Sequence, residues 1–173
     1  YSNFMNSQGK EMAWTAYTNN WLGWTTFNYL DPSQVFKFTP LPSGNFTIQN
    51  YDTDLYVNGA TEHDGGSAVV CTSTPGYEQI AEPIGSLQWL FYNTDYNVAY
   101  HPRYHNSGNG SGGEIVPYNA NKLNQHSTWY IRMVPDSVMQ KLPAIKVQIA
   151  LNRELSNLAT EANGIFDKLT VYT

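Results

Sequence analysis

Three fragments of this chain share one pattern, and their recurrence constrains the fold more than any other feature of its 173 residues. They are Ser33-Gln34-Val35-Phe36-Lys37-Phe38, Ser86-Leu87-Gln88-Trp89-Leu90-Phe91 and His126-Ser127-Thr128-Trp129-Tyr130-Ile131. Each has a large aromatic in fourth place and an apolar residue two further on, the period of a strand with one buried face. The anchors Phe36, Trp89 and Trp129 stand 53 and 40 residues apart. Three units of about 45 residues therefore fill residues 1–135.

A second feature recurs within each unit. A turn-forming cluster precedes a short strand in 6–12, in 51–57 and in 93–98. Further strand-like runs are Asn45–Gln49, Leu55–Val57, Ala68–Cys71 and Trp129–Met133, divided by Pro42-Ser43-Gly44, Asn58-Gly59 and Asp64-Gly65-Gly66. Four short strands per unit predict about twelve in all, closed as a barrel or sandwich. The abundance of Tyr, Gly and Asn (13, 13 and 18 residues) fits that reading. Gly and Asn tolerate the left-handed backbone of tight turns, and Tyr suits half-buried pleated surfaces. The glycine-rich stretch 106–113 cannot pack a core and is expected to be a mobile loop.

The composition breaks near Pro135-Asp136. Twelve of the 13 glycines precede it, and charge is denser after it. Beyond the break Asp136 and Ser137 can cap a helix start, and Pro143 predicts a short first turn or a kink. From Ala144 the apolar residues Ile145, Ile149, Leu151, Leu155, Leu158, Ala162, Ile165 and Leu169 recur mostly at steps of three and four. This predicts one amphipathic helix of about 20 residues. Its stripe must be buried against the β domain, against a helix of a further domain, or serve as a linker face. The domains expected are thus 1–135, all-β, and 136–173, helical, either an appendage of the first or the opening of a further domain.

Charge and cysteine content narrow the function classes. Nine Lys and Arg against 14 Asp and Glu leave no basic patch for a phosphate backbone, which disfavours nucleic acid as a partner. No run of about 18 apolar residues is present, so no membrane span is expected. A single cysteine, Cys71, rules out an internal disulfide framework, and its apolar neighbours predict a buried, inert thiol. The start at Tyr1, without Met or a leader, reads as a piece of a longer, processed polypeptide.

The unit length, the strand–turn order and the recurrent aromatic resemble the β-trefoil of ricin-B-type lectins, whose units carry a Q-x-W signature near their ends. The degenerate counterparts here are Gln34-Val35-Phe36, Leu87-Gln88-Trp89 and Ser127-Thr128-Trp129. The resemblance covers residues 1–135 and implies that Phe36, Trp89 and Trp129 are core residues. It also implies sugar sites built from an aspartate after the first strand, a stacking aromatic on a following loop and an amide or carboxylate near the signature. The aspartate position falls on Ala13, Tyr56 and Ala99, none of them acidic. The stacking position falls on Trp24, Thr72 and Tyr118, with Asp31 and Gln34 as polar partners in the first unit and Asn121 and Asn124 in the third. The second unit looks blind.

Other constellations are weaker. His101 and His105, four apart around Pro102, read as surface histidines of a loop rather than metal ligands. Asp52, Asp54 and Asn58, and the run Glu62-His63-Asp64-Gly65, lack the full calcium loop and read as turn caps. Asn45-Phe46-Thr47 and Asn109-Gly110-Ser111 match the glycosylation acceptor pattern. No nucleophile–base motif or phosphate loop is present.

The expectation is therefore a non-catalytic carbohydrate-binding module of a secreted or surface multidomain protein, with no metal or cofactor. Its partners would be glycans and neighbouring domains. The rival is a structural or protein-interaction trefoil that has lost its sugar sites; part of a glycan-degrading enzyme comes third.

Overall fold

The computed structural model describes residues 11–60, 67–85, 87–95, 98–103, 112–118 and 127–170, with side chains to residue 165. The chain divides into two compact units, Tyr1–Val134 and Pro135–Thr173.

Eleven strands of the first unit are described. They are β1 (Met12–Ala16), β2 (Leu22–Thr26), β3 (Phe36–Pro40), β4 (Phe46–Asn50), β5 (Tyr56–Val57), β6 (Cys71–Thr72), β7 (Gln79–Gly85), β8 (Gln88–Asn93), β9 (Tyr100–Pro102), β10 (Gly113–Pro117) and β11 (Trp129–Tyr130). A 3-10 turn, Pro32–Gln34, precedes β3. Every named pairing is antiparallel. One sheet runs β1-β2-β10-β9; the other runs β11-β8-β7-β4-β5-β6, with β3 added to β4. The segment leading into β6 meets the first sheet: Val69 accepts from the Leu22 amide at 2.8 Å and donates to the Ile115 carbonyl at 2.8 Å, and the Cys71 amide donates to the Asn20 carbonyl at 2.7 Å. The approach of β10 to β2 depends on Gly113, where a Cβ would lie 2.7 Å from the Trp24 indole nitrogen.

The register of these pairings exposes a threefold repeat. In β3–β4, Phe36 pairs with Asn50; in β7–β8, Gln79 pairs with Asn93. The buried side chains of Asn50 and Asn93 each accept from the backbone amide two residues on, at 3.1 Å, closing the same turn. Across strands, Phe46 pairs with Gln79 and Trp89 pairs with Trp129. Phe36, Gln79 and Trp129 are therefore equivalent, and Trp89 is the equivalent of Phe46 on the following strand.

This corrects the placement of Trp89 as the second-unit anchor. The residue in that place is Gln79, fully buried. Its amide nitrogen donates to the carbonyls of Asn58 (2.8 Å) and Tyr77 (3.0 Å), and its oxygen accepts from the Tyr100 hydroxyl (2.7 Å). A buried amide of this kind persists because every polar atom is paired. A lone glutamine carries no hydrophobic periodicity, whereas Trp89, on the neighbouring strand, does. Trp89 and Phe36 still pack, half-buried, against the core, and Trp129 lies within it.

The core converges on Trp14. Its ring contacts Phe36, Phe91, Tyr100 and Trp129, with centroids 4.9–6.0 Å apart in edge-on or tilted geometry. Such pairs add about 0.5–1.5 kcal/mol each beyond area burial.

In the second unit, α1 spans Asp136–Met139 and α2 spans Leu142–Thr170, 29 residues. The expected caps are not used: Pro135 holds the N-cap position, no side chain caps α1, and Asp136 sits in the first turn. Pro143 falls in the first turn of α2, where its missing N–H is not needed, so the chain makes two helices instead of one kinked helix. No helix among the described residues is long and apolar enough to cross a membrane.

Candidate functional site

The same register builds three equivalent clusters. Trp14, Val57 and Tyr100 each point inward from the first strand of a pair, 43 residues apart. Their cross-strand partners are Trp24, Cys71 and Pro117, all buried. Side chains alternate along a strand, so the next residues, Thr15, Asn58 and His101, turn to the other face. So do the residues after the partners: Thr25, Thr72 and Tyr118.

In the first cluster the Thr15 and Thr25 hydroxyls hydrogen-bond at 2.7 Å. The Gln34 amide nitrogen donates to the Thr25 hydroxyl (2.7 Å) and the Thr26 carbonyl (2.9 Å), and its oxygen accepts from the Asn28 amide (2.8 Å). In the second, the Asn58 amide nitrogen donates to the Thr72 hydroxyl at 3.1 Å, and its oxygen accepts from the Tyr77 amide at 2.8 Å. In the third, the His101 ring lies against the Tyr118 ring, centroids 5.0 Å apart and tilted 34°. The His101 Nδ1 hydrogen-bonds the buried Ser127 hydroxyl at 3.0 Å. Gln34, Tyr77 and Ser127 stand two residues before Phe36, Gln79 and Trp129, so each cluster draws its third member from the same place.

The clusters differ in what they leave for a ligand. Two small side chains in each of the first two close on one another. The third ends in an aromatic ring that is 42% exposed and backed by a histidine that is 6% exposed. Farther along the same face of the β9–β10 hairpin, Arg103 donates to the Glu114 carboxylate at 2.7 Å.

Trp24 is not a stacking platform. It is 1% exposed, and its indole N–H donates to the Arg103 carbonyl at 3.0 Å. The expected position lies one residue out of register, which exchanges faces in a strand; the first-unit equivalent of Tyr118 is Thr25. Asp31 caps the 3-10 turn, accepting from the Ser33 amide (3.0 Å) and hydroxyl (2.5 Å). Gln34 is committed to its own cluster. Asn121 and Asn124 lie outside the described residues, as do His105, Glu62-His63-Asp64-Gly65, Asn109 and most of the 106–113 stretch.

His101 is not a surface histidine: it lies on β9, buried. The apolar run Val98-Ala99-Tyr100 before it was the signal for a strand. Asn58 serves its own cluster and not a calcium loop. Among the described residues no group of three His, Cys, Asp or Glu side chains could hold a metal ion. Burial pushes the Cys71 thiol up to about 12. Asn45 donates from its amide to the Glu78 carboxylate (2.8 Å), as does the Ser43 hydroxyl (2.8 Å). Together they hold the Glu78 carboxyl below its ordinary range.

No protein family and no curated protein matches the sequence. Solved structures do match. A designed 3-fold symmetric protein, ThreeFoil, superposes with a TM-score of 0.59 at 12% identity, covering 74% of this chain and 94% of that one. A Macrolepiota procera ricin B-like lectin, solved in complex with lactose, superposes with a TM-score of 0.54 at 13% identity, covering 75% and 97%. Together with the threefold register, these likenesses establish the fold of the first unit as a β-trefoil.

Proposed function

We propose that the chain is a non-catalytic carbohydrate-binding module that works through its third unit. The observation that carries the reading is the half-exposed Tyr118 ring, held by buried His101 in the place where the other two units carry threonines. A pyranose offers an apolar C–H face to such a ring and hydroxyls to neighbouring polar groups. Arg103 and Glu114 supply charged groups farther along the same face of the β9–β10 hairpin, and Asn121 and Asn124 follow Tyr118 in sequence. The fold itself supports the reading, since the structurally similar Macrolepiota lectin binds lactose. The proposed setting is a secreted or cell-surface protein with further domains.

The test is a calorimetric titration of the full chain against a panel of mono- and oligosaccharides, repeated with Tyr118→Ala. The expected result is saturable binding to at least one sugar, weakened about tenfold or more by the substitution, with an unchanged melting temperature. Binding that Tyr118→Ala leaves intact overturns the assignment of the site.

A second reading, a trefoil that serves structure or protein interaction, is favoured by the first unit. There Trp24, Asp31 and Gln34 are all committed to internal packing or hydrogen bonds. A flat response across the panel selects it.

A further inference from the structure

The three clusters share one order of contact, and it ends differently in the third. In the first, the Gln34 amide nitrogen donates to the Thr15 hydroxyl at 3.3 Å, and Thr15 bonds to Thr25 across the hairpin at 2.7 Å. In the second, the Tyr77 backbone amide donates to the Asn58 side chain at 2.8 Å, and Asn58 donates to Thr72 at 3.1 Å. In the third, Ser127 bonds to His101 at 3.0 Å, and His101 packs on Tyr118. Each series runs from the segment before the anchor, to the first strand of the pair, to the second. In two units its last link is a hydrogen bond to a threonine hydroxyl. In the third it is a contact between two ring faces.

Ser127 is well placed to hold the histidine ring. It is fully buried. Two residues on, Trp129 donates its indole N–H at 3.0 Å to the carbonyl of Tyr100, the residue before His101. The segment that carries Ser127 is thus tied to the strand that carries His101. A bond at Nδ1 from so fixed a partner restricts the turning of the imidazole about its side-chain torsions. It also sets which ring nitrogen carries the proton, because a partner at one nitrogen selects the tautomer. Among the described residues His101 is the ring on which Tyr118 packs. The orientation of the buried ring therefore sets the resting orientation of the half-exposed one.

We propose that Ser127 is a positioning residue of the third unit: through His101 it holds the Tyr118 ring in one orientation before a sugar arrives. The inference rests on the reading of Tyr118 as a sugar platform. A side chain ordered in advance avoids the entropy otherwise lost at binding, an effect of about two- to tenfold in affinity. The polar link that closes the first two clusters takes a different role in the third.

Ser127→Ala in the full chain tests this, since it removes one oxygen and leaves Trp129 in place. The first readout needs no sugar: NMR relaxation of the Tyr118 ring and nitrogen chemical shifts of the His101 ring. The parent should show an ordered Tyr118 and a single His101 tautomer. Ser127→Ala should show a more mobile ring and mixed tautomers, with the amide shifts of the first two units unchanged. In a His101→Phe background, Ser127→Ala should add no further mobility, because its effect runs through His101. The second readout is calorimetry with mono- and oligosaccharides, lactose among them, where Ser127→Ala should bind about two- to tenfold more weakly than the parent. A Tyr118 ring equally ordered in parent and Ser127→Ala overturns the proposal, whether or not a sugar binds. So does a loosened ring with unchanged affinity for a sugar that the parent binds, or an undiminished effect of Ser127→Ala beside His101→Phe. A loosened ring in a chain whose parent binds none of the sugars upholds the hold on Tyr118 and overturns the sugar reading alone.

Discussion

At the scale of single residues, the face of the strand decides role more than residue type does. Trp24 and Tyr118 looked alike in sequence because both are aromatics at the same stage of their units. One residue of register separates them: Trp24 pairs with Trp14 and is buried, whereas Tyr118 follows the buried Pro117 and emerges. No composition or motif carries that single step; it is fixed by the cross-strand hydrogen bonds. Cys71, in contrast, was legible, because an apolar run on both sides leaves a thiol nowhere to go but inward. Its pKa, pushed from 9.0 to about 12 by burial, has a consequence for stability. Below pH 9 the thiol is protonated in folded and unfolded chains alike, and its contribution is fully present. Between 9 and about 12 the unfolded chain ionises and the folded one does not, so stability falls as pH rises, by about 1.4 kcal/mol per unit for one group. Urea midpoints measured from pH 8 to 11 should drop above pH 9, and Cys71→Ala should flatten part of that slope. Tyr92, raised to about 12 by burial and its bond to Glu82, adds to the slope from pH 10 upward.

At the scale of elements, the hairpins were readable and their registers were not. Asn45–Gln49 and Leu55–Val57 gave way to β4 and β5 within a residue, since turn residues bracket them on both sides. The run Trp129–Met133 shortens to two residues, β11, because Ile131 and Met133 pair with no strand among the described residues: they are 41% and 86% exposed. The second-unit signature went to the wrong strand of the β7–β8 hairpin, where Trp89 outshone the buried Gln79. That hairpin also carries strain. Leu87, at its tip, holds φ at 64° and is 82% exposed, so its side chain gains nothing from the left-handed backbone it must adopt. Leu87→Gly should therefore stabilise the chain by about 1 kcal/mol, seen as a higher urea midpoint with an unchanged m-value. A lower midpoint contradicts this account of the turn. In the helical part, periodicity read the helix correctly and underestimated its length, because Pro143 at a first turn starts a helix as readily as it stops one.

At the scale of the whole molecule, the threefold pseudo-symmetry is what makes function local. Three equivalent clusters were built, and two were closed by short polar side chains that bond to one another. Only the third ends in an exposed ring, so the proposed function rests on that unit alone. The trefoil holds its own core, so a fragment ending at residue 134 should fold alone, with the near-ultraviolet circular dichroism of the full chain.

The central claim is that one cluster of the three meets the ligand. Backbone and ring resonances of the isotopically labelled full chain, followed by NMR during titration with a sugar that binds, test it most directly. The account predicts shifts centred on Tyr118, His101 and the β9–β10 hairpin, with Thr15, Thr25, Asn58 and Thr72 unmoved. Shifts centred on the first or second cluster, or none near Tyr118, would contradict it.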